Sequence, residues 1–119
     1  MPEAEIIDQK TLTALLDSLG GDVDFLKELV DAYLDSTPGL FAAMRQAVAA
    51  DDSAALLRAA HSLKTGSANL GALALATLCK QLEDMGRSGE LDGAGARIDT
   101  AAAAYDDVAA ALRDRVQVQ

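Results

Sequence analysis

The residue of this chain best suited to chemistry is its single histidine, His61, which is followed three residues later by Lys64. Imidazole is a good nucleophile near neutral pH. A nearby ammonium disfavours the charged ring and so keeps it nucleophilic, and it can also attract a phosphoryl oxygen. The small residues that come next leave room for another protein to approach: Thr65, Gly66, Ser67 and Ala68. Any chemistry of this chain is therefore concentrated at one spot that a partner can reach.

Two inactive alternatives apply to the same histidine. It can be a structural residue in the core or at a helix end, or an exposed residue without a role. A helical wheel, at about 100° per residue, places Leu56, Leu63 and Leu70 on one side and His61 almost opposite. This position argues against a core histidine, but it does not separate a reactive side chain from an idle one. Lys64 alone can likewise be a solvated surface lysine.

Hydrophobic periodicity and capping residues predict five helices and no strand. Aspartates can cap the first three helices, and a pair of glycines can end the first. Pro38 lies inside the second helix, where its missing amide donor predicts a kink or a short break. The predicted helices span about residues 8–19, 23–50 (kinked near Pro38), 52–70, 72–87 and 94–116.

The composition fits helices that pack closely. The chain has 119 residues, of which 50% are hydrophobic and only 3% aromatic, and it has two prolines. Alanine and leucine favour helices, and short connections make successive helices antiparallel. The sequence therefore predicts an all-α fold: an antiparallel four-helix bundle with an additional short N-terminal helix, in a single domain over residues 1–119.

Charge and special residues limit the classes of function. A net charge of −9 argues against binding to nucleic acid or to an anionic membrane. The single cysteine, Cys79, excludes an internal disulfide and lies on an apolar stripe, so we expect it in the core. Without clustered ligands, the sequence also argues against a metal site. Residues 1–5 lack the parts of a signal peptide, and no apolar stretch can span a bilayer, so we expect a cytoplasmic protein.

The segment around His61 resembles the motif of histidine-containing phosphotransfer (HPt) domains of two-component signalling. The family pattern is His-x-Leu-Lys-Gly-x-small-x-x-hydrophobic-Gly, and the matching segment runs from His61 to Gly71. The resemblance extends from about Ile7 to Leu112. One departure is Thr65, which stands where the family has glycine. Its side chain can crowd the ring, or its hydroxyl can donate a hydrogen bond to a phosphoryl oxygen.

The resemblance also implies roles for residues outside the motif. In the family, a glutamate or glutamine on the neighbouring helix binds Nδ1 of the histidine, and Glu83 matches that position. It would fix the ring tautomer and leave Nε2 free to attack, while Lys64 would stabilise the phosphoryl group. Arg87 matches a position that is often basic, which implies a weaker phosphate or partner contact. As an alternative, Glu83 is an ordinary surface carboxylate.

By this resemblance the chain is a phosphocarrier with no kinase activity of its own. His61 would accept a phosphoryl group from an aspartate of a response-regulator receiver domain, in a free regulator or a hybrid histidine kinase, and pass it to another receiver. Mg²⁺ would be held by the partner, and this chain would bind no cofactor. The usual state in the family is a monomer. We expect docking through an apolar patch on the strip of the histidine and at the start of the next helix: Ala54, Leu57, Ala68 and Leu73.

Two other functions stay open from the sequence. A phosphoacceptor domain of a chemotaxis-type kinase shares the fold and the chemistry, but its phosphate comes from an ATP-bound kinase domain. A non-catalytic helical adaptor with an inert histidine would share the fold alone. Transfer from a phosphorylated receiver to His61 separates a relay between receivers from both of these alternatives.

Overall fold

The structure, a computed structural model, describes residues 6–117, and five helices make up most of that range. They are α1 (Gln9–Ser18), α2 (Val23–Ala49), α3 (Ser53–Asn69), α4 (Leu73–Ser88) and α5 (Ala94–Gln117). Helix α3 packs against α2 and α4, and α5 packs against the same two helices, so that four helices form a closed ring. Helix α1 lies on α3. The predicted all-α fold, a four-helix bundle with a short additional N-terminal helix, is confirmed.

The predicted ends of the helices differ from the observed ends by at most one residue. The assignment of residues 1–119 to a single domain stays a prediction, and the expected lack of a signal peptide concerns residues 1–5, which lie outside the described residues. Within residues 6–117, no helix is both long enough and apolar enough to cross a bilayer.

Three helices begin at an aspartate that caps them. The side chains of Asp8, Asp22 and Asp52 each accept a hydrogen bond from the backbone amide three residues later, at 3.2, 3.1 and 3.0 Å. Such bonds satisfy amides that have no partner inside the helix. The turn before α3 also contains Asp51 at a φ of 53°, a region that aspartate tolerates better than most residues. Local polar chemistry therefore fixes where these helices start.

Pro38 lies inside α2, which nevertheless runs as one helix from Val23 to Ala49. The short break, one of the two predicted outcomes, does not occur, and the kink stays a prediction. Proline has no amide hydrogen for the carbonyl four residues earlier, which belongs to Leu34. The hydroxyl of Tyr105, on α5, donates a hydrogen bond to this carbonyl at 3.4 Å. A side chain from a neighbouring helix therefore supplies a donor where the proline removes one.

The core consists mainly of aliphatic side chains and alanine. On the leucine stripe predicted for α3, Leu56 and Leu63 are fully buried, and so is Cys79 of α4, as its apolar stripe predicted. Burial raises the pKa of the Cys79 thiol to about 12, so the thiol is neutral at physiological pH. Other large buried side chains come from all parts of the chain: Ile7, Met44, Leu75, Leu82, Ile98 and Leu112.

Gly71 attaches the segment before α1 to the turn between α3 and α4. Its φ is +87°, and a Cβ atom there would lie 2.8 Å from the backbone oxygen of Asp8. The amide of Asp8 donates to the carbonyl of Gly71 at 2.8 Å. Because both the φ angle and the close approach favour glycine, the glycine that closes the His61 motif serves the packing of this turn.

Candidate functional site

His61 lies near the middle of α3, and its side chain points away from the core. The side chain is 62% exposed, whereas Leu63, two residues later, is 1% exposed. The helical wheel placed the two residues on opposite sides, and the structure confirms that arrangement. The imidazole is therefore open to solvent and to an approaching protein.

Glu83 of α4 contacts both His61 and Lys64. Its Oε2 lies 2.5 Å from Nδ1 of His61, and its Oε1 accepts a hydrogen bond from Nζ of Lys64 at 2.7 Å. The Glu83 side chain is only 3% exposed, which excludes the alternative of an ordinary surface carboxylate. An ionised carboxylate can only accept, so Nδ1 must carry the proton. In the neutral ring, the lone pair is then on Nε2, on the side away from Glu83.

The charge of Glu83 is held by its neighbours. Its pKa is lowered from 4.5 to about 2, chiefly by the hydrogen bond from Lys64 and with a further contribution from His61, against the opposing effect of burial. A buried carboxylate without such partners would be protonated more easily. Glu83 is therefore an anion at physiological pH and favours any positive charge that develops on the imidazole.

Lys64 is less mobile than the sequence alone suggested. One alternative from the sequence was a solvated surface lysine, but Lys64 is paired with Glu83 and its side chain is 28% exposed. The pair anchors the ammonium one helical turn from His61. A phosphoryl group on Nε2 would meet a cation that is already positioned.

Arg87 lies at the edge of this arrangement. Its guanidinium approaches Oε1 of Glu83 only at 3.8 Å, and it donates a closer hydrogen bond to Asp84 at 3.0 Å. Its side chain is 61% exposed. The predicted weak contact therefore belongs to an exposed cation next to the site, and its closer partner, Asp84, was not predicted from the sequence.

The predicted docking residues lie around the histidine but differ in exposure. Leu73, the first residue of α4, is 46% exposed, and Ala54 is also exposed, whereas Leu57 and Ala68 are half-buried. Thr65 is exposed, which means that it is not packed into the bundle. A shallow groove next to Lys64 is lined by four residues predicted for the site or for docking, Lys64, Thr65, Ala68 and Leu73. Its other lining residues were not predicted: Asn69, Ala76, Thr77 and Lys80.

Gly86 is a site feature that the sequence analysis missed. A Cβ atom at Gly86 would lie 2.7 Å from the backbone nitrogen of Leu57 and 2.8 Å from the backbone oxygen of Ser53. Helices α3 and α4 therefore touch backbone to backbone, one turn from the contact of His61 with Glu83. Glycine in a helix is often tolerated without a role, so only the placement of both helices could reveal this one.

Metal-binding clusters were not expected from the sequence. Within residues 6–117, no group of three or more His, Cys, Asp or Glu side chains is arranged to hold a metal ion. At the site itself, Glu83 has both oxygens engaged, by Nδ1 of His61 and by Lys64. The chemistry that the described residues offer is that of a nucleophilic nitrogen flanked by an anion and a cation.

The exposed His61, whose Nδ1 is held by a carboxylate on a four-helix bundle, fits the resemblance found in the sequence, and comparison with known proteins gives the class of the protein. The family model for the Hpt domain matches residues 28–115. The chain belongs to this family, and its function is histidine phosphotransfer in a phosphorelay.

A solved structure similar to this chain is the crystal structure of histidine-containing phosphotransfer protein B (HptB) from Pseudomonas aeruginosa PAO1. The TM-score is 0.87 and the sequence identity is 31%, over 96% of each chain. The comparison with curated proteins gives no match. The likeness covers more of the chain than the residues 28–115 matched by the family model.

Proposed function

We propose that Nε2 of His61 accepts a phosphoryl group from the aspartyl phosphate of a receiver domain and passes it to an aspartate of another receiver. The observation that carries this proposal is the bond from Nδ1 to the buried Glu83 on a ring that is 62% exposed. The bond directs the free lone pair outward, where an in-line attack on a partner's phosphate is sterically open.

The proposed step balances without a proton transfer. The N–P bond forms at Nε2 as the P–O bond of the acyl phosphate breaks, and the partner's aspartate leaves as a carboxylate. The ring then carries the Nδ1 proton and a positive charge, which the Glu83 carboxylate offsets. Lys64, anchored at 2.7 Å from Glu83, offers its ammonium to the phosphoryl oxygens, and the exposed Thr65 can donate a hydrogen bond to them. Arg87 contributes a weaker attraction.

The partner supplies what this chain does not. The Mg²⁺ that stabilises charge on a transferring phosphoryl group belongs, in this proposal, to the receiver, and the chain acts as a phosphocarrier without kinase activity. The role fits a cytoplasmic monomer that meets receivers of response regulators or hybrid kinases in turn. A net charge of −9 supports the expectation that neither nucleic acid nor a membrane is a partner.

Receivers would dock on the face around His61. Its apolar part comprises Ala54, Leu57, Ala68 and Leu73, of which Leu73 is the most prominent because it is a large apolar side chain that is 46% exposed. Lys80 borders the same groove. Burying a leucine gains about 1.5–3 kcal/mol, so Leu73→Ser should raise the receiver concentration at half-maximal transfer about tenfold. Phe25→Ser is the matched control, since Phe25 is 45% exposed and lies outside this patch.

The central experiment is transfer from a receiver that has been loaded with acetyl phosphate. We expect the chain to acquire an acid-labile, base-stable phosphoryl group, and His61→Gln to lose it entirely while retaining its helical circular dichroism. Labelling of His61→Gln at the parent's level would refute the assignment of the site.

The two alternatives give different results in the same assay. A phosphoacceptor domain of a chemotaxis-type kinase would be labelled by an ATP-bound kinase domain but not by a loaded receiver. A non-catalytic adaptor would bind a partner and be labelled by neither. Either result would replace the proposed relay between receivers.

A further inference from the structure

A close approach between α3 and α4 is made at a residue without a side chain, Gly86. At Gly86, a Cβ atom would meet three backbone atoms of α3 at 2.7 to 2.9 Å, two of them in Leu57 and one in Ser53. A carbon atom and a non-bonded heavy atom normally stay about 3.5 Å apart. Backbone atoms inside a helix cannot turn away as a flexible side chain can. Any other residue at this position therefore requires the two helices to separate.

This contact lies next to the phosphotransfer site. His61 follows Leu57 by four residues on α3, and Glu83 precedes Gly86 by three residues on α4. The helices are antiparallel, so both steps run in the same direction along the bundle by about one turn, roughly 5.4 Å. The spacing of the two backbones at Gly86 consequently fixes the spacing at the pair of His61 and Glu83.

We propose that Gly86 is a positioning residue for phosphotransfer. By allowing α4 to touch α3, it lets one carboxylate reach Nδ1 of His61 at 2.5 Å and Nζ of Lys64 at 2.7 Å. The inference rests on the proposed function of His61. An alanine at this position would move the helices apart by roughly 0.5–1 Å, which is enough to weaken both hydrogen bonds, because such bonds weaken steeply with distance and angle.

The first measurement does not depend on phosphotransfer. Because the chain has a single histidine, an imidazole ¹⁵N spectrum contains one set of ring signals. The parent should show the tautomer with the proton on Nδ1, and Gly86→Ala should lose part of that population because the bond to Glu83 is weakened. Gly39→Ala is the control: Gly39 also lies inside a helix, and a Cβ atom there meets nothing within 4 Å. An unchanged spectrum of folded Gly86→Ala would overturn the proposal.

The second measurement is the rate of transfer from a loaded receiver. Gly86→Ala should slow transfer by up to about a hundredfold, as expected for a displacement of about 1 Å, whereas Gly39→Ala should match the parent. If Gly86 acts through Glu83, the change should have no further effect in a Glu83→Ala background. Full additivity of the two effects would show that Gly86 acts by another route and would overturn the proposal.

A folding failure would not leave the question open. If Gly86→Ala does not fold, Glu83→Asp opens a similar gap from the other side, since it withdraws the carboxylate by one methylene and leaves the backbones in contact. It should produce the same loss of the Nδ1-protonated tautomer, and an unchanged spectrum would contradict a distance-controlled contact. If no receiver labels the parent, the proposed function fails, while the spectra still decide the role of Gly86.

Discussion

Two opposite interfaces of the bundle, α3–α4 and α2–α5, are packed in different ways. Between α3 and α4, Gly86 brings the backbones into contact, and charged groups meet at its edge around Glu83. Between α2 and α5, aromatic rings fill the space: Tyr105 lies 6.0 Å from Tyr33 and 5.8 Å from Phe41, between ring centroids. At the α3–α4 interface, the Glu83 carboxylate lies between the two helices, whereas the rings at the α2–α5 interface supply apolar contact area. The α3–α4 interface therefore contains the polar groups around His61, and the opposite α2–α5 interface contains the aromatic packing.

The largest expected effect tests the aromatic interface. Tyr105→Ala removes both ring contacts and the hydrogen bond to the Leu34 carbonyl, and it should lower the free energy of unfolding by about 3 kcal/mol. Urea denaturation measures this loss, and Tyr105→Phe, which keeps the ring, should lose no more than about 1 kcal/mol. The folded Tyr105→Ala variant should keep the parent's tautomer at His61. A smaller population of the Nδ1-protonated tautomer would show that the two interfaces are coupled, and it would contradict the separation of their roles.

The second effect tests the polar interface. Glu83→Ala should slow phosphotransfer by about a hundredfold, because the ring loses the group that orients it. Glu83→Gln should retain much of the activity, since its amide oxygen still accepts a hydrogen bond from Nδ1. Glu90→Ala is a matched control at an exposed glutamate just beyond α4. If Glu83→Ala transfers at the parent's rate, Glu83 is a structural residue only.

The third expected effect is a dependence of stability on pH in the acid range. The pKa of Glu83 is about 2 in the folded chain, against an ordinary value of 4.5. A lowered pKa stabilises the fold fully above about pH 4.5, and this contribution disappears as the pH falls towards 2. Unfolding of the parent and of Glu83→Gln should therefore be compared from pH 6 to pH 2. The difference in stability between them should shrink over that range, and a constant difference would contradict the charge assigned to Glu83.

The sequence predicted the fold well because its signals are local. Periodic leucines place the core face of α3, and aspartates cap α1, α2 and α3, so the ends of these helices follow from neighbouring residues. Pro38 was harder, because the hydroxyl that donates to the unpaired Leu34 carbonyl belongs to Tyr105, 67 residues further along the chain. A distant donor cannot be inferred from the residues around a proline.

Only part of the site could be predicted, because some of its contacts depend on residues that are distant in the sequence. The outward position of His61 follows from the helical wheel, whereas the contact of Glu83 with Nδ1 was implied only by the family resemblance. That Glu83 also holds Lys64, and that it is buried, depends on how closely α3 and α4 approach. Gly86 leaves room for this approach, and its lack of a side chain gives no periodic signal. Its role in transfer, like that of Glu83, stays a prediction.

The reactivity of the single thiol of this chain, Cys79, measures how often the core of the bundle opens. Cys79 has no solvent exposure, and burial raises its pKa to about 12. In the closed bundle, a reagent therefore cannot reach the sulfur, and the sulfur is a neutral thiol and not the reactive thiolate. Modification requires that the packing around Cys79 opens or that the bundle unfolds. The rate at which a thiol reagent modifies Cys79 therefore reports how often the core around this residue of α4 becomes accessible.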